Sequence, residues 1–203
     1  MTKAAAHREI PLFPLRTVLF TGGRLPLRIF EPRYVQMVSH CMREETGFGV
    51  VLIREGVEAR TGPDVEQPRI FNIGTYASII DFNQLTDGLL GILTRGGEKF
   101  RVLTSYERPD HLMMGEVEML PDEQTLAIAS EYAPLVEILR DLMEHPMVRR
   151  LNFEVDYADA RAVSWRLAEL LPVEPEIKQS LLQMNHPRER LAELRRLIER
   201  LRD

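Results

Sequence analysis

The chain has a single cysteine, Cys41, in 203 residues. An intramolecular disulfide is therefore impossible, and a zinc site built on two to four thiolates is excluded. Lysine is scarce too. Lys3, Lys99 and Lys178 are the three lysines among 26 basic residues, and the rest are arginine. Arginine's planar fork suits fixed hydrogen-bonded pairs better than a diffuse basic surface. Acidic residues number 31 and the net charge is −5, which counts against nucleic-acid binding through general electrostatics. No apolar run approaches the roughly 20 residues of a membrane helix. The stretch from Met1 to Ile10 carries charges and three alanines but no apolar signal core. The expectation is a soluble cytoplasmic protein with no membrane partner.

Glycine is missing from the last 88 residues; all 12 glycines lie in the first 115. Glycine punctuates turns and strands and is poor inside helices. The split predicts an α+β chain with a β-rich front over 1–120 and a helical back over 121–203, joined at Leu120-Pro121-Asp122. The front carries a net charge of −1 and the back −4. At 44% apolar and 28% charged residues, the composition is that of a globular protein. A chain this long buries roughly 70% of its unfolded surface, so it folds without disulfide or metal. No internal repeat or low-complexity tract is present.

Short apolar runs that end at turn residues fall at 9–13, 17–20, 49–53, 74–82, 88–94, 98–104 and 115–119. Asp87-Gly88 and Gly96-Gly97 read as hairpin turns between three consecutive runs. One helix interrupts them. Pro32 suits a first turn, and Tyr34, Met37, Val38 and Cys41 share one helical face. Behind residue 120 the helical period takes over. Tyr132, Leu135, Val136, Leu139, Leu142 and Met143 form one stripe; Val163, Leu167, Leu170 and Leu171 form a second. Ile177, Leu181 and Met184 make a third, and Leu191, Leu194, Ile198 and Leu201 a fourth, beginning at Pro187. His186 with Glu189, or else Asn185, caps the last. The short link over 172–175 implies antiparallel neighbours.

The familiar catalytic motifs are absent. The nearest approach to a phosphate loop, residues 91–97, has Gly97 where the lysine must stand. Gly47-Phe48-Gly49 lacks the third glycine of a dinucleotide loop, since position 52 is Leu. No Gly-x-Ser-x-Gly elbow and no His-Glu-x-x-His helix occur. Cys41 beside His40 invites a thiol-protease reading, but helical neighbours point about 100° apart. Cys41 also sits on the apolar stripe, as a small buried hydrophobe does. His7, His40, His111, His145 and His186 have no ligand spacing. Glu44-Glu45 reads as a solvated helix end, and Glu116 and Glu118 as the outward face of a strand. No catalytic, cofactor-binding or metal residue is assigned, and no cofactor is expected.

One segment is dense in signals. It runs Ile10-Pro11-Leu12-Phe13-Pro14-Leu15-Arg16-Thr17-Val18-Leu19-Phe20-Thr21-Gly22-Gly23-Arg24-Leu25-Pro26-Leu27-Arg28-Ile29-Phe30-Glu31-Pro32-Arg33-Tyr34. Its prolines fix extended chain. Leu25, Leu27 and Ile29 alternate with Arg24, Pro26 and Arg28, as in a strand with one buried face. Arg28, Glu31 and Arg33 are expected to neutralise one another and tie the helix start to the sheet. Met113-Met114 places one methionine away from the core, where its adaptability suits varied partners.

At these residues the sequence resembles the Lon protease N-terminal domain, or Lon substrate-binding domain, family. The family's Pro-Leu-Phe-Pro-Leu opening is matched at 11–15, its Phe-Pro-Gly-Gly turn at 20–23 with Thr21 in place of proline, and its Leu-Pro-Leu-x-Ile-Phe-Glu-x-Arg-Tyr run at 25–34. Ile73-Gly74-Thr75-Tyr76-Ala77, Asp87-Gly88, and Gly97 with Phe100-Arg101-Val102 resemble later family strands and turns, with Lys99 at an arginine position. Leu171-Pro172, residues 178–182 and Glu189-Arg190-Leu191 resemble the helical part. The resemblance singles out Pro11, Phe13, Pro14, Phe20, Gly22, Gly23, Pro26, Leu27, Phe30, Glu31, Arg33, Tyr34, Gly74, Gly88 and Phe100 as motif positions, mainly structural.

The resemblance implies a PUA-like β pseudo-barrel with one inserted helix, followed by a helical bundle. It also implies recognition of polypeptides. A P-loop is lacking and the chain ends at Asp203, so a stand-alone member without ATPase or peptidase domains is expected. Such a chain is a non-enzymatic, ATP-independent binder of polypeptide segments or of a partner protein, an adaptor or substrate handler. RNA binding through a PUA-like barrel, a cryptic hydrolase centred on Cys41 and His40, and a purely structural subunit are the alternatives. An interdomain cleft or a free strand edge is the expected place for a bound polypeptide.

Overall fold

A computed structural model describes residues 7–59 and 66–202. The first six residues, read above as lacking a signal core, lie outside the described residues. The chain divides into two compact units, Met1–Pro121 and Asp122–Asp203.

The first unit holds six strands and one long helix: β1 (His7–Leu15), β2 (Arg24–Ile29), α1 (Pro32–Arg43), β3 (Phe48–Glu55), β4 (Arg69–Gln84), β5 (Leu90–Glu107) and β6 (Met113–Met119). They form one sheet in the order β2-β5-β4-β3-β1-β6, and β5 also pairs with β6. That extra pairing closes β1, β3, β4, β5 and β6 into a ring. The β1–β3 pair is parallel, with Leu12 opposite Gly49, and the other pairs are antiparallel. β2 lies outside the ring on the first half of β5, from Arg24 opposite Arg95 to Ile29 opposite Leu90.

Alternation along the strands sorts the core into two clusters. Ile10, Leu12, Val51, Phe100, Met113, Val117 and Met119 form one. Phe13, Leu15, Phe48, Val50, Ile92 and Ile29 form the other, with Tyr34, Met37, Val38 and Cys41 of α1. β3 is buried on both faces, and residues 48–53 read as an unbroken apolar run for that reason. Leu25 and Leu27 are half-buried and Ile29 is buried, while Pro26 and Arg28 are exposed. Proline at this outer strand withholds an N–H from any strand that might add there.

Two expectations are corrected. Gly96-Gly97 is not a turn; β5 runs straight through it for 18 residues. Gly96 is there because a side chain would run into the Phe20 carbonyl oxygen. Residues 17–20 form no strand but lead into a turn. The Asp87-Gly88 turn does form, closed by Gly88 N–H to Leu85 O (2.9 Å), with Gly88 at φ 82°.

The second unit opens with a single 3-10 turn over Ser130–Tyr132, then α2 (Ala133–Glu144), short α3 (Pro146–Arg149), α4 (Ala160–Leu170), α5 (Pro175–Gln183) and α6 (Pro187–Arg202). α4 packs on α2, α5 and α6. His186 begins the last helix, its Nδ1 accepting from Arg188 N–H at 3.3 Å. Leu201, read into the fourth stripe, is exposed. The segment that enters the unit is stitched to α4 by Asp159. Its carboxylate caps α4 through Arg161 N–H (2.9 Å) and also accepts from Leu126 N–H (3.2 Å). Arg190 is fully buried. Its guanidinium grips both oxygens of Glu123 (3.0 and 2.5 Å), donates to Ser164 Oγ (3.0 Å) and lies over the Trp165 ring. Burial pulls the Arg190 pKa down, and Glu123 opposes that pull.

Candidate functional site

The dense segment builds a groove. Its turn over residues 20–23 is closed by Gly23 N–H to Phe20 O (2.9 Å), with Gly22 at φ 72°. Positive φ at the third position is the type II arrangement, which explains the glycine there. The turn docks on β5 through Gly22 N–H to Gly96 O (2.8 Å) and Gly96 N–H to Gly23 O (3.0 Å). Thr75 Oγ1 donates to Leu19 O (2.6 Å) and Thr94 Oγ1 to Leu25 O (2.9 Å). The chain is thus fixed on both sides of the turn, at Leu19 before it and at Leu25 in β2 after it. Pro32 starts α1, whose basic last turn holds His40 and Arg43.

Arg33 pairs with Glu31 (2.8 Å), donates to His111 O (3.0 Å) and lies 4.5 Å from the Tyr34 ring centre. Arg28 does not join that pair; it pairs with Asp87 in the β4–β5 turn. The expected three-residue neutralisation is therefore a two-residue one, plus a separate tie between β2 and the turn.

Phe13, Pro14, Pro26, Leu27, Phe30, Glu31 and Tyr34 line an apolar groove of about 310 Å³, with Leu15, Ile29 and Glu58. Phe30 is 58% exposed at its wall. Burial pushes the Tyr34 phenol up to about 12, and Arg33 only partly counters this. The phenol therefore stays neutral beside the groove's apolar wall, while Arg28, Glu31 and Glu58 place charge at its lining. The other motif positions lie elsewhere. Phe20 and Phe100 are fully buried. Gly74 lets β4 approach Val50 O and the Phe100 ring, Gly88 turns β4 into β5, and Pro11 lies on β1.

A second, larger cleft of about 790 Å³ opens between residues 8–11 of β1 and α1. Ile10, Met37 and Leu112 form its buried floor, with Tyr76 and Met114 half-buried beside them. The methionine pair splits as alternation requires. Met113 is buried in the ring cluster and Met114 faces this cleft. Of the motif positions, Pro11 and Arg33 line this cleft, but the motif did not mark it as a place. Arg8, Gln36 and Met37 carry no motif, and the strand–helix juxtaposition that makes them neighbours is tertiary.

The catalytic candidates are not brought together. Cys41 is buried and its thiol donates to Gly47 O (3.5 Å). Burial pushes its pKa up, which disfavours the nucleophilic thiolate. His40 is exposed on the helix, 3.3 Å from the Arg43 guanidinium. Glu118 pairs with Arg101 (3.0 Å), and Glu44 with Arg43 (3.1 Å). Among the described residues no group of three or more His, Cys, Asp or Glu is placed to hold a metal ion. Among them, too, no helix is long and apolar enough to cross a membrane.

The pattern of the ATP-dependent protease La (LON) substrate-binding domain matches residues 9–200. The chain belongs to this Lon substrate-binding domain family. The crystal structure of a Lon N-terminal domain protein from Xanthomonas campestris is 35% identical, with a TM-score of 0.75, over 92% of this chain and 96% of that one. The N-terminal domain of a Mycobacterium avium complex Lon protease has the same fold, with a TM-score of 0.59 at 15% identity and the same coverage. Lon protease 2 of Herpetosiphon aurantiacus is 25% identical over 201 residues, 94% of this chain but 24% of its own length. Lon protease of Parabacteroides distasonis is 27% identical over 135 residues, 66% of this chain and 16% of its own length. The chain thus spans a quarter or less of these two proteases. Within the Lon family span, seven of the motif residues converge on the Phe30 groove.

Proposed function

We propose that this chain is a non-catalytic module that binds polypeptide segments, with the Phe30 groove taking apolar side chains of an unfolded chain. The observation that supports it is the convergence of Phe13, Pro14, Pro26, Leu27, Phe30, Glu31 and Tyr34 on one apolar groove, in a family described by substrate binding. Phe30, 58% exposed, is continuous with the apolar groove rather than isolated on the surface, and a contiguous apolar patch is what marks a contact site. In this reading the ring of strands is a PUA-like pseudo-barrel and the second unit a helical bundle, with the domain boundary at residue 120. The remaining motif positions are mainly structural, and the chain works in the cytoplasm as an adaptor or substrate handler.

Fluorescence anisotropy of a labelled, permanently unfolded polypeptide tests it, with folded protein and single-stranded RNA as controls. The expected result is saturable binding of the unfolded chain that changes little with salt. Phe30→Ser should weaken that binding by roughly tenfold to a hundredfold, the equivalent of about 1.5–3 kcal/mol for burying one phenylalanine side chain. Absence of binding at high micromolar protein, or binding of RNA alone, would sink the proposal.

A further inference from the structure

We propose that the cleft between β1 and α1 receives an extended, acidic polypeptide strand that adds to the sheet beside residues 7–11. This rests on the polypeptide-binding reading and names a second contact, distinct from the Phe30 groove.

The edge is the first observation. β6 pairs with β1 along residues 7–12, but pairing with β3 begins only where Leu12 meets Gly49. Residues 7–11 therefore have a strand on one side and the cleft on the other. Thr46 and Gly47, just before β3, do not pair with β1 but line the cleft, where Gly47 N–H donates to Tyr76 Oη (2.6 Å). A strand adding here gains main-chain hydrogen bonds, and the cleft wall opposite is a helix, so side chains of an added strand meet pockets. Pro11 has no N–H and limits the addition to a short strand.

Charge supplies the occupant's chemistry. From β1 the cleft receives Arg8 and Glu9, from α1 Arg33 and His40, and from the loop after β5 Arg108 and Asp110. Arg33 is paired with Glu31, Arg108 with Asp110 (3.2 Å), and Glu9 accepts from Tyr106 Oη (2.6 Å). Among the described residues Arg8 has no ion-pair or hydrogen-bond partner for its side chain. In a chain of net charge −5, Arg8 is thus a cation at the free strand edge with no carboxylate paired to it among the described residues. An acidic side chain on an added strand neutralises it.

The test uses the 203-residue chain and two fluorescent peptides of about eight residues, one alternating Val and Asp, the other Val and Lys. The Val-Asp peptide should bind about tenfold or more tightly than the Val-Lys peptide, as charge complementarity requires. Amide hydrogen exchange at residues 7–10 should slow when it is bound. Arg8→Glu should abolish the acidic preference, and Gln36→Trp should block binding of the Val-Asp peptide by filling the cleft. An acidic preference that survives Arg8→Glu overturns the proposal, as does protection confined to residues 24–30. So does failure of the Val-Asp peptide while the unfolded polypeptide still binds, which leaves the polypeptide-binding reading intact. If the unfolded polypeptide fails as well, that reading falls too.

Discussion

Thr21 occupies the second position of the type II turn over residues 20–23, where proline's fixed φ is favoured. Its N–H donates no hydrogen bond among the described residues, so proline would remove none there. Thr21→Pro should raise stability by about 0.4–1 kcal/mol through the unfolded chain, read as a higher urea midpoint at an unchanged slope. Arg190 is the opposite case. Its pair with Glu123 is fully buried, so Arg190→Met leaves a carboxylate without its partner. The expected loss is about 3–5 kcal/mol, again from urea titration, and Glu123→Gln should cost less. Tyr34 adds an alkaline limit. Burial raises its folded pKa to about 12, above the ordinary phenol value of 10.0. The neutral phenol's contribution is intact below pH 10 and is lost as pH rises through 12. Tyr34→Phe should therefore flatten the fall of the urea midpoint between pH 10 and 12.

At the scale of elements, β5 carries the most structure. Its 18 residues pair with β2 and β4 in the first half and with β4 and β6 further along. Gly96→Ala would push a methyl against the Phe20 carbonyl oxygen, so a Tm drop corresponding to about 1–3 kcal/mol is expected. The same residue marks where sequence reading fails. Gly96-Gly97 carries a hairpin signal locally, yet the glycine answers a contact with a chain 76 positions away, and no local pattern encodes that. α1 was legible throughout, because Tyr34, Met37, Val38 and Cys41 bury one face and the helical period states as much. The Phe30 groove was legible as residues but not as a place. Its motif positions could be named in order, while the approach of β2 to residues 13–15 depends on β5 carrying β2 there. Arg28 shows the limit at a single contact: its partner Asp87 lies 59 residues on.

At the scale of the whole chain, each unit buries its own apolar residues. Phe48, Val50 and Phe100 serve the first; Leu139, Val163, Leu167 and Leu194 serve the second. Residues 1–121 expressed alone should give a dispersed amide spectrum and one cooperative unfolding transition. A collapsed, poorly dispersed spectrum would contradict that expectation.

The pairing of β1 with β6 also sets a timetable for synthesis. Leu12 meets Met113, 101 residues later. At a ribosomal pace of about 5–20 residues per second, the first strand waits on the order of 5–20 s for its last neighbour to be made. During that interval a nascent β1, with Ile10, Leu12, Phe13 and Leu15 still in water, has the character of the unfolded segments this module is proposed to bind. The ring closes only after β6 is made, whereas the helices of the second unit assemble from contacts closer in sequence, so the first unit sets the pace of maturation.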